Sequence, residues 1–229
     1  MLAEIAGLRD ESDLVRTFIL RSESSEPWQF EPGQFVMIAV PGLPEHENLR
    51  SYSIASAPGS DTVELCIVLN PDGKATPVLW SMRVGDKLEI SEPQGTFVLP
   101  ETHGLELCLV CTGTGVAPFR SMIQTLKGRG KFPMPVYLIF GCRTESDLLY
   151  RKEWENLAEA EPNFRYIPVL SRQNWDGEKG YVHAVYKKLF ADGRDARFMV
   201  CGWENMCTDA RHNLKEMGYN RRQYKFENY

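Results

Sequence analysis

Residues 107–111 read Leu-Cys-Leu-Val-Cys. Five apolar side chains in succession leave a strand no polar face, so it must be covered on both sides. Such strands belong to parallel sheets packed between helices, and the downstream sequence repeats the arrangement. After "LELCLVCT" comes "GTGVAPFRSMIQTLKGRG", a Gly turn and a helix ending at Gly128. "PVYLIFGC" is a second buried strand. "ESDLLYRKEWENLAEA" reads as one amphipathic helix, opened by capping-type residues and closed before Pro162. "FRYIPVLS" is a third strand, "VHAVYKKLF" a helix and "RFMVCG" a fourth strand. "NMCTDARHNLKEMG" is a helix closed by Gly218, and "QYKFENY" is a last strand. Alternation of this kind predicts a doubly wound parallel sheet.

Upstream of "PETHG" the rhythm differs. "QFVMIAV" (Gln34–Val40), "RSYSIAS" (Arg50–Ser56), "TVELCIVL" (Thr62–Leu69) and "DKLEIS" (Asp86–Ser91) are short runs bounded by Gly, Pro, Asp or Asn. Short punctuated strands predict an antiparallel barrel or sandwich. Ala75–Met82 breaks the series, with Val78, Leu79 and Met82 at helical spacing. The 229 residues therefore divide into an antiparallel β-barrel domain over 1–100 and an α/β doubly wound domain over 101–229.

A net charge of −5 argues against a nucleic-acid binder, which carries a basic face. No apolar run approaches the roughly 20 residues that span a bilayer. "MLAEIAGLRDESD" lacks a basic region followed by an apolar stretch, so no signal peptide is expected and the protein is read as cytoplasmic. The six cysteines, Cys66, Cys108, Cys111, Cys142, Cys201 and Cys207, are expected to be reduced. Cys108 and Cys111 form C-x-x-C inside a buried strand and read as core thiols rather than metal ligands. No metal site is expected.

In a doubly wound sheet, ligands gather at the carboxyl ends of the strands. "TGTGVAPFRS" (Thr112–Ser121) follows a strand and opens a helix, so its N–H groups could receive a pyrophosphate. A plain strand–helix turn is the lesser alternative, and Pro118 replaces the third glycine of a G-x-G-x-x-G. "CGWENM" (Cys201–Met206) lies at a later strand end, where a helix N-terminus could lower a thiol pKa, or the cysteine could simply be packed. In "RSYS", Arg50 and Tyr52 share one strand face and Ser53 takes the other. "DGKAT" places Lys74, Ala75 and the Thr76 hydroxyl before the short helix. The first suits an anionic planar ligand and the second an anion, and both also suit a solvated edge or turn.

Together, and in this order, the segments resemble the ferredoxin–NADP⁺ reductase family of flavoproteins over nearly the whole chain. "RSYS" matches the flavin motif R-x-Y-[ST], "GKAT" the flavin pyrophosphate turn, "GTGVAPFRS" the nucleotide motif and "CGWENM" the late C-G-x-x-x-M motif. The resemblance implies FAD and NADP(H) as cofactors. It implies that Arg50 binds the flavin phosphate, Tyr52 lies against the isoalloxazine and Ser53 bonds near N5. Lys74, Ala75 and Thr76 would hold the flavin pyrophosphate. Thr112, Gly113, Thr114, Gly115 and Pro118 would cradle the pyridine nucleotide, with Gly202 and Met206 also in its site and Cys201 beside the nicotinamide. The end "ENY" places Glu227 and Tyr229 where the family has a glutamate and a flavin-stacking aromatic; Ser53, Cys201, Glu227 and Tyr229 are then the candidates for the chemistry. Ser171 and Arg172, followed by Lys179 and Tyr181, match the clamp of NADP-selective members.

The implied activity is exchange of electrons between NADPH and a separate acidic one-electron carrier, ferredoxin or flavodoxin. A flavin or cytochrome reductase of the same fold is the alternative, and a non-catalytic docking subunit the rival. A monomer is expected, without membrane insertion. Arg9, Arg16, Arg21, Arg83 and Lys87 are candidates for a positive docking surface.

Overall fold

In the computed structural model, residues 1–24, 26–130 and 132–229 are described. They form two compact units. One comprises Met1–Leu99 with Ala117–Thr125; the other comprises Pro100–Val116 with Leu126–Tyr229.

The first unit is an antiparallel sheet of β1 (Leu2–Ser12), β2 (Val15–Ser22), β3 (Phe35–Ala39), β4 (Leu49–Ser53), β5 (Thr62–Val68) and β6 (Lys87–Ile90). Its strand order is β4-β3-β6-β1-β2-β5. The two end strands meet through a bridge between Ile54 and Leu65, which closes the barrel. Closure removes the exposed edges that an open sheet would carry. Inward residues alternate: Val36 and Ile38 on β3, Phe18 and Leu20 on β2, and Val63, Leu65 and Ile67 on β5 are all fully buried. The short helix α1 (Thr76–Ser81) packs on this core through Leu79.

The long hairpin β1–β2 did not stand out in the sequence. Register shifts between Ile5 and Gly7 and between Asp10 and Ser12 interrupt its alternation, so the period-2 signal is broken twice in eleven residues.

Ala117–Thr125 belongs to this unit through a buried cation. Arg120, 6% exposed, donates to the Ala55 carbonyl at 3.0 Å and to Glu64 Oε2 at 2.8 Å. Arg9 reaches the same carboxylate at 2.8 Å. A buried guanidinium is tolerable only when paired in this way. Four of the five residues considered for a docking surface are also engaged: Arg9 with Glu11 and Glu64, Arg16 with Asp10, Arg21 with Asp61 and Lys87 with Glu23. Their charge is largely spent within the barrel rather than presented as a free patch.

The second unit is a parallel sheet in the order β10-β9-β8-β7-β11-β12. Its strands are β7 (Glu106–Thr112), β8 (Val136–Cys142), β9 (Phe164–Leu170), β10 (Glu178–Lys179), β11 (Ala196–Gly202) and β12 (Tyr224–Asn228). Its helices are α3 (Arg151–Ala160), α4 (Val182–Leu189) and α5 (Glu204–Glu216); α2 (Val116–Gly128) follows β7, with its residues Ala117–Thr125 counted in the first unit. Cys108 and Cys111 are fully buried on β7, as core residues. Pro168 is accommodated in β9 because pairing with β10 begins only at Val169, so its missing N–H interrupts no ladder on that side.

The expected single helix over Glu145–Ala160 is instead two elements. A 3-10 turn, Glu145–Asp147, is held by a capping box from Thr144, and α3 starts at Arg151. Tyr150 lies between them at φ +58°, which ends any continuous helix. Leu148, Leu149 and Tyr150 are buried, so packing overrides the local helical pattern.

Phe198 anchors one face of the second unit. It is 1% exposed, with its ring centroid 5.0 Å from that of Phe190 and 4.6 Å from that of Tyr219. Phe198→Ala is expected to cost about 3–5 kcal/mol by loss of transfer energy and cavity formation. Urea unfolding followed by far-UV circular dichroism measures it; a loss below about 1 kcal/mol would contradict this packing.

Candidate functional site

The sheet of the second unit reverses direction between β7 and β11. From β7 the chain winds outward through β8 and β9, then returns through α4 to lay β11 on the other side of β7. The carboxyl ends of β7 and β11 thus form the crevice in which doubly wound folds bind ligands. Both predicted nucleotide segments meet there. Cys201 is in register with Cys111 on one side and with Glu227 on the other.

Close approach explains the glycines. Gly113 has φ +52° in the 3-10 turn Gly113–Gly115 that leads into α2. A Cβ on Gly115 would sit 2.4 Å from the Cys201 carbonyl oxygen, and one on Gly202 would sit 2.3 Å from Thr112 Oγ1. The two loops are therefore backbone against backbone, and larger residues would force them apart. Pro118 falls in the first turn of α2, where its lack of an N–H is harmless. Met206 lies on α5, its Cε 2.5 Å from where a Gly202 Cβ would be.

The last strand brings two further residues in. Glu227 Oε1 lies 4.0 Å from Cys201 Sγ. Tyr229 donates its hydroxyl to the Thr112 carbonyl at 2.7 Å and its N–H to the Gly202 carbonyl at 3.3 Å. Tyr229, just past β12, thus spans from the end of β11 to the end of β7. Burial raises the pKa of the Cys201 thiol well above its ordinary value, with the nearby Glu227 carboxylate adding to it. Of the two readings of Cys201, the packed cysteine holds: the thiol is 2% exposed, and desolvation outweighs the dipole.

At the ends of the neighbouring strands, Ser171 donates its hydroxyl to the Cys142 carbonyl at 3.1 Å, and the Arg172 N–H reaches the Arg143 carbonyl at 2.9 Å. Lys179 is paired in register with Leu170 and donates to Asn174 at 2.6 Å. Tyr181, 75% exposed, precedes α4. Arg172, Lys179 and Tyr181 therefore cluster along one strand end with exposed side chains. Arg143 joins them and was missed. Its sequence signal is positional: "CR" ends β8 as "SR" follows β9.

In the first unit, Arg50 and Tyr52 pair with Ile38 and Val36, and Ser53 pairs with Phe35. Tyr52 packs partly against the barrel core, and burial pushes its hydroxyl up to about 12. Arg50 donates to the carbonyls of Glu47 (2.9 Å) and Leu49 (2.8 Å). Lys74 meets Glu47 Oε2 at 2.9 Å, and this ion pair holds the Glu47 carboxyl below its usual range. Glu47, missed in the sequence, thus joins two segments that lie 27 residues apart. Thr76 differs from expectation. Its hydroxyl donates to the Asn70 carbonyl (3.1 Å) and accepts from the Asn70 N–H (2.8 Å), so it closes the turn rather than pointing outward. Ala75 precedes α1 with no side-chain cap.

Both half-sites fit the groups their sequence implies. In the second unit, Thr112 Oγ1 is a buried hydroxyl without a protein partner beside a glycine cradle. In the first, Lys74 meets the Glu47 carboxylate, an oxyanion of the kind a phosphate presents, and Arg50 donates to the main-chain carbonyl of the same residue.

Comparison with known proteins agrees. Residues 4–99 match the oxidoreductase FAD-binding domain family, and residues 109–212 match the oxidoreductase NAD-binding domain family. The chain is 33% identical to ferredoxin–NADP reductase B of Sorangium cellulosum, covering 99% of this chain and 96% of that protein. It is 33% identical to the reductase component of a Pseudomonas phenol 2-monooxygenase, covering 86% of this chain but only 56% of that longer protein. Among solved structures, the Neisseria gonorrhoeae ferredoxin NADP⁺ reductase with bound FAD and NADP is 28% identical with a TM-score of 0.83, covering 100% of this chain and 98% of that one. Amycolatopsis cytochrome P450 reductase is also 28% identical, with a TM-score of 0.89, covering 99% of this chain and 68% of that one. With a barrel of the FAD-binding type, a switch-point crevice of the NAD-binding type and a relative matched end to end, the chain belongs to the ferredoxin–NADP⁺ reductase family of FAD- and pyridine-nucleotide-dependent oxidoreductases.

Proposed function

We propose that this enzyme passes electrons between NADPH and a small one-electron carrier protein such as ferredoxin or flavodoxin, with residues 1–100 binding FAD and 101–229 binding the nucleotide. The observation that carries the reading is the course of β12, which sets Glu227 beside Cys201 and Tyr229 over the Gly113 loop. A near full-length relative named ferredoxin–NADP reductase supports it. The phenol monooxygenase and cytochrome P450 reductases favour a second reading, in which the electrons go to an oxygenase system.

Bound FAD supplies the conversion between hydride pairs and single electrons. The chain's own residues bind, orient and exclude water. Arg50, Lys74 and the uncapped start of α1 at Ala75 and Thr76 hold the flavin phosphates. Tyr52 supports the ring and Ser53 offers a hydroxyl toward N5. The crevice residues Thr112, Thr114, Pro118 and Met206 shape the nucleotide site with the three glycines. Cys201 packs there as a neutral thiol, and Glu227 holds or releases a proton at its carboxylate. Tyr229 sets its aromatic ring over the Gly113 loop of the nucleotide site. Arg143, Ser171, Arg172 and Lys179 take the 2′-phosphate of NADPH, with Tyr181 against the adenine.

Arg50→Ala is expected to weaken FAD retention by about 1.5–3 kcal/mol, the worth of a charge-assisted phosphate bond. Flavin content after dialysis reads this; unchanged retention removes Arg50 from the site.

Replacing Arg172 and Lys179 by neutral residues is expected to lower kcat/KM for NADPH at least about tenfold while leaving NADH within about twofold. An equal fall with both coenzymes would sink the 2′-phosphate assignment. Anaerobic reduction by NADPH, followed by ferredoxin, flavodoxin and oxygenase components as acceptors, separates the two readings.

Cys201 is expected to resist iodoacetamide at pH 7.5 in the native protein and to react once denatured, because burial holds it as a thiol. Peptide mass mapping reads the labelling; native labelling at the rate of a free thiol would show a thiolate instead.

A further inference from the structure

Trp203 is explained neither by its helix nor by a core. It occupies the position before α5, where short polar residues normally cap, and makes no capping bond. Its side chain is 62% exposed, so burial does not account for an indole there. The ring instead lies 5.5 Å from that of Tyr229, inclined at 55°, within the range of favourable aromatic pairs.

Tyr229 is placed by that neighbour and by two hydrogen bonds. The hydroxyl goes to the Thr112 carbonyl, the N–H to the Gly202 carbonyl, and Trp203 directly follows Gly202. So placed, Tyr229 covers the nucleotide loop: a Cβ on Gly113 would lie only 3.1 Å from its hydroxyl oxygen. A ligand seated on Gly113–Gly115 at that point meets Tyr229 first.

We propose that Trp203 is a positioning residue that holds Tyr229 across the Gly113–Gly115 loop and so weakens binding of the nicotinamide half of the coenzyme. The proposal rests on the nucleotide assignment above. Trp203 itself touches no coenzyme; it adds to what the nicotinamide end must displace. The adenine end, anchored at the far strand ends by Arg143, Arg172 and Lys179, is indifferent to it.

The test uses the purified FAD-loaded protein and equilibrium binding by calorimetry, with NADP⁺ and with 2′,5′-ADP, which lacks nicotinamide. Trp203→Ala is expected to tighten NADP⁺ about 2- to 10-fold, the range of one aromatic pair, and to leave 2′,5′-ADP unchanged. Trp203→Phe, which keeps a ring, is expected to stay within about twofold of the parent. On a Tyr229→Ser background, Trp203→Ala is expected to add nothing, since its action runs through Tyr229. Weaker NADP⁺ binding in Trp203→Ala would make the indole a direct ligand contact and overturn the proposal. Additive effects in the double variant would overturn it as well. If 2′,5′-ADP fails to bind the parent protein, the nucleotide assignment itself falls. If 2′,5′-ADP binds the parent and NADP⁺ affinity is unchanged in Trp203→Ala, only the role of Trp203 falls.

Discussion

The nucleotide half of this protein depends on the placement of β11 directly beside β7. That adjacency is a backbone fact, made by the return through α4, and it brings loops from distant parts of the chain within a carbonyl's reach of each other. Gly115 against the Cys201 carbonyl and Gly202 against Thr112 show how little space is left. β12 extends the same sheet by one strand, so the row Cys111, Cys201, Glu227 follows from parallel register alone. The chemistry of the crevice is thus a consequence of strand order before it is one of side-chain choice.

Burial then decides the character of those side chains. A thiol at a helix N-terminus could have been a reactive thiolate, yet Cys201 is enclosed by the sheet and faces a carboxylate, and both effects favour the proton. A protonated, packed sulfur suits a surface against which a ring rests better than it suits a nucleophile. Charge is handled differently in the barrel, where Glu64 receives both Arg9 and the buried Arg120. There the ion pairs fasten residues 117–125 to the barrel, and Arg120 of the nucleotide motif serves packing rather than phosphate binding.

Much of the architecture was legible because its signals are local. Continuous apolar runs marked the parallel strands, helical spacing marked α1, α2, α4 and α5, and the four motifs were contiguous in sequence. What escaped was non-local or interrupted. Two bulges blurred the β1–β2 hairpin, and buried packing of Leu148–Tyr150 split the expected helix before α3. Glu47 and Arg143 look like ordinary surface charges until folding sets one between Arg50 and Lys74 and the other behind Arg172.

The sequence by itself determined the fold class, because hydrophobic period is written in neighbouring residues, and its four short contiguous motifs carried the resemblance that implied the family and the cofactor types. Only the tertiary structure decided what those residues meet: that Thr76 turns inward to Asn70, that four basic residues of the barrel are spent in ion pairs, that Cys201 stays protonated, and that Tyr229 rests between Thr112 and Trp203. Contacts across 117 residues, such as that of Tyr229 with Thr112, have no local signature. They exist because parallel strands far apart in the chain are adjacent in the sheet, and adjacency is a property of the whole fold.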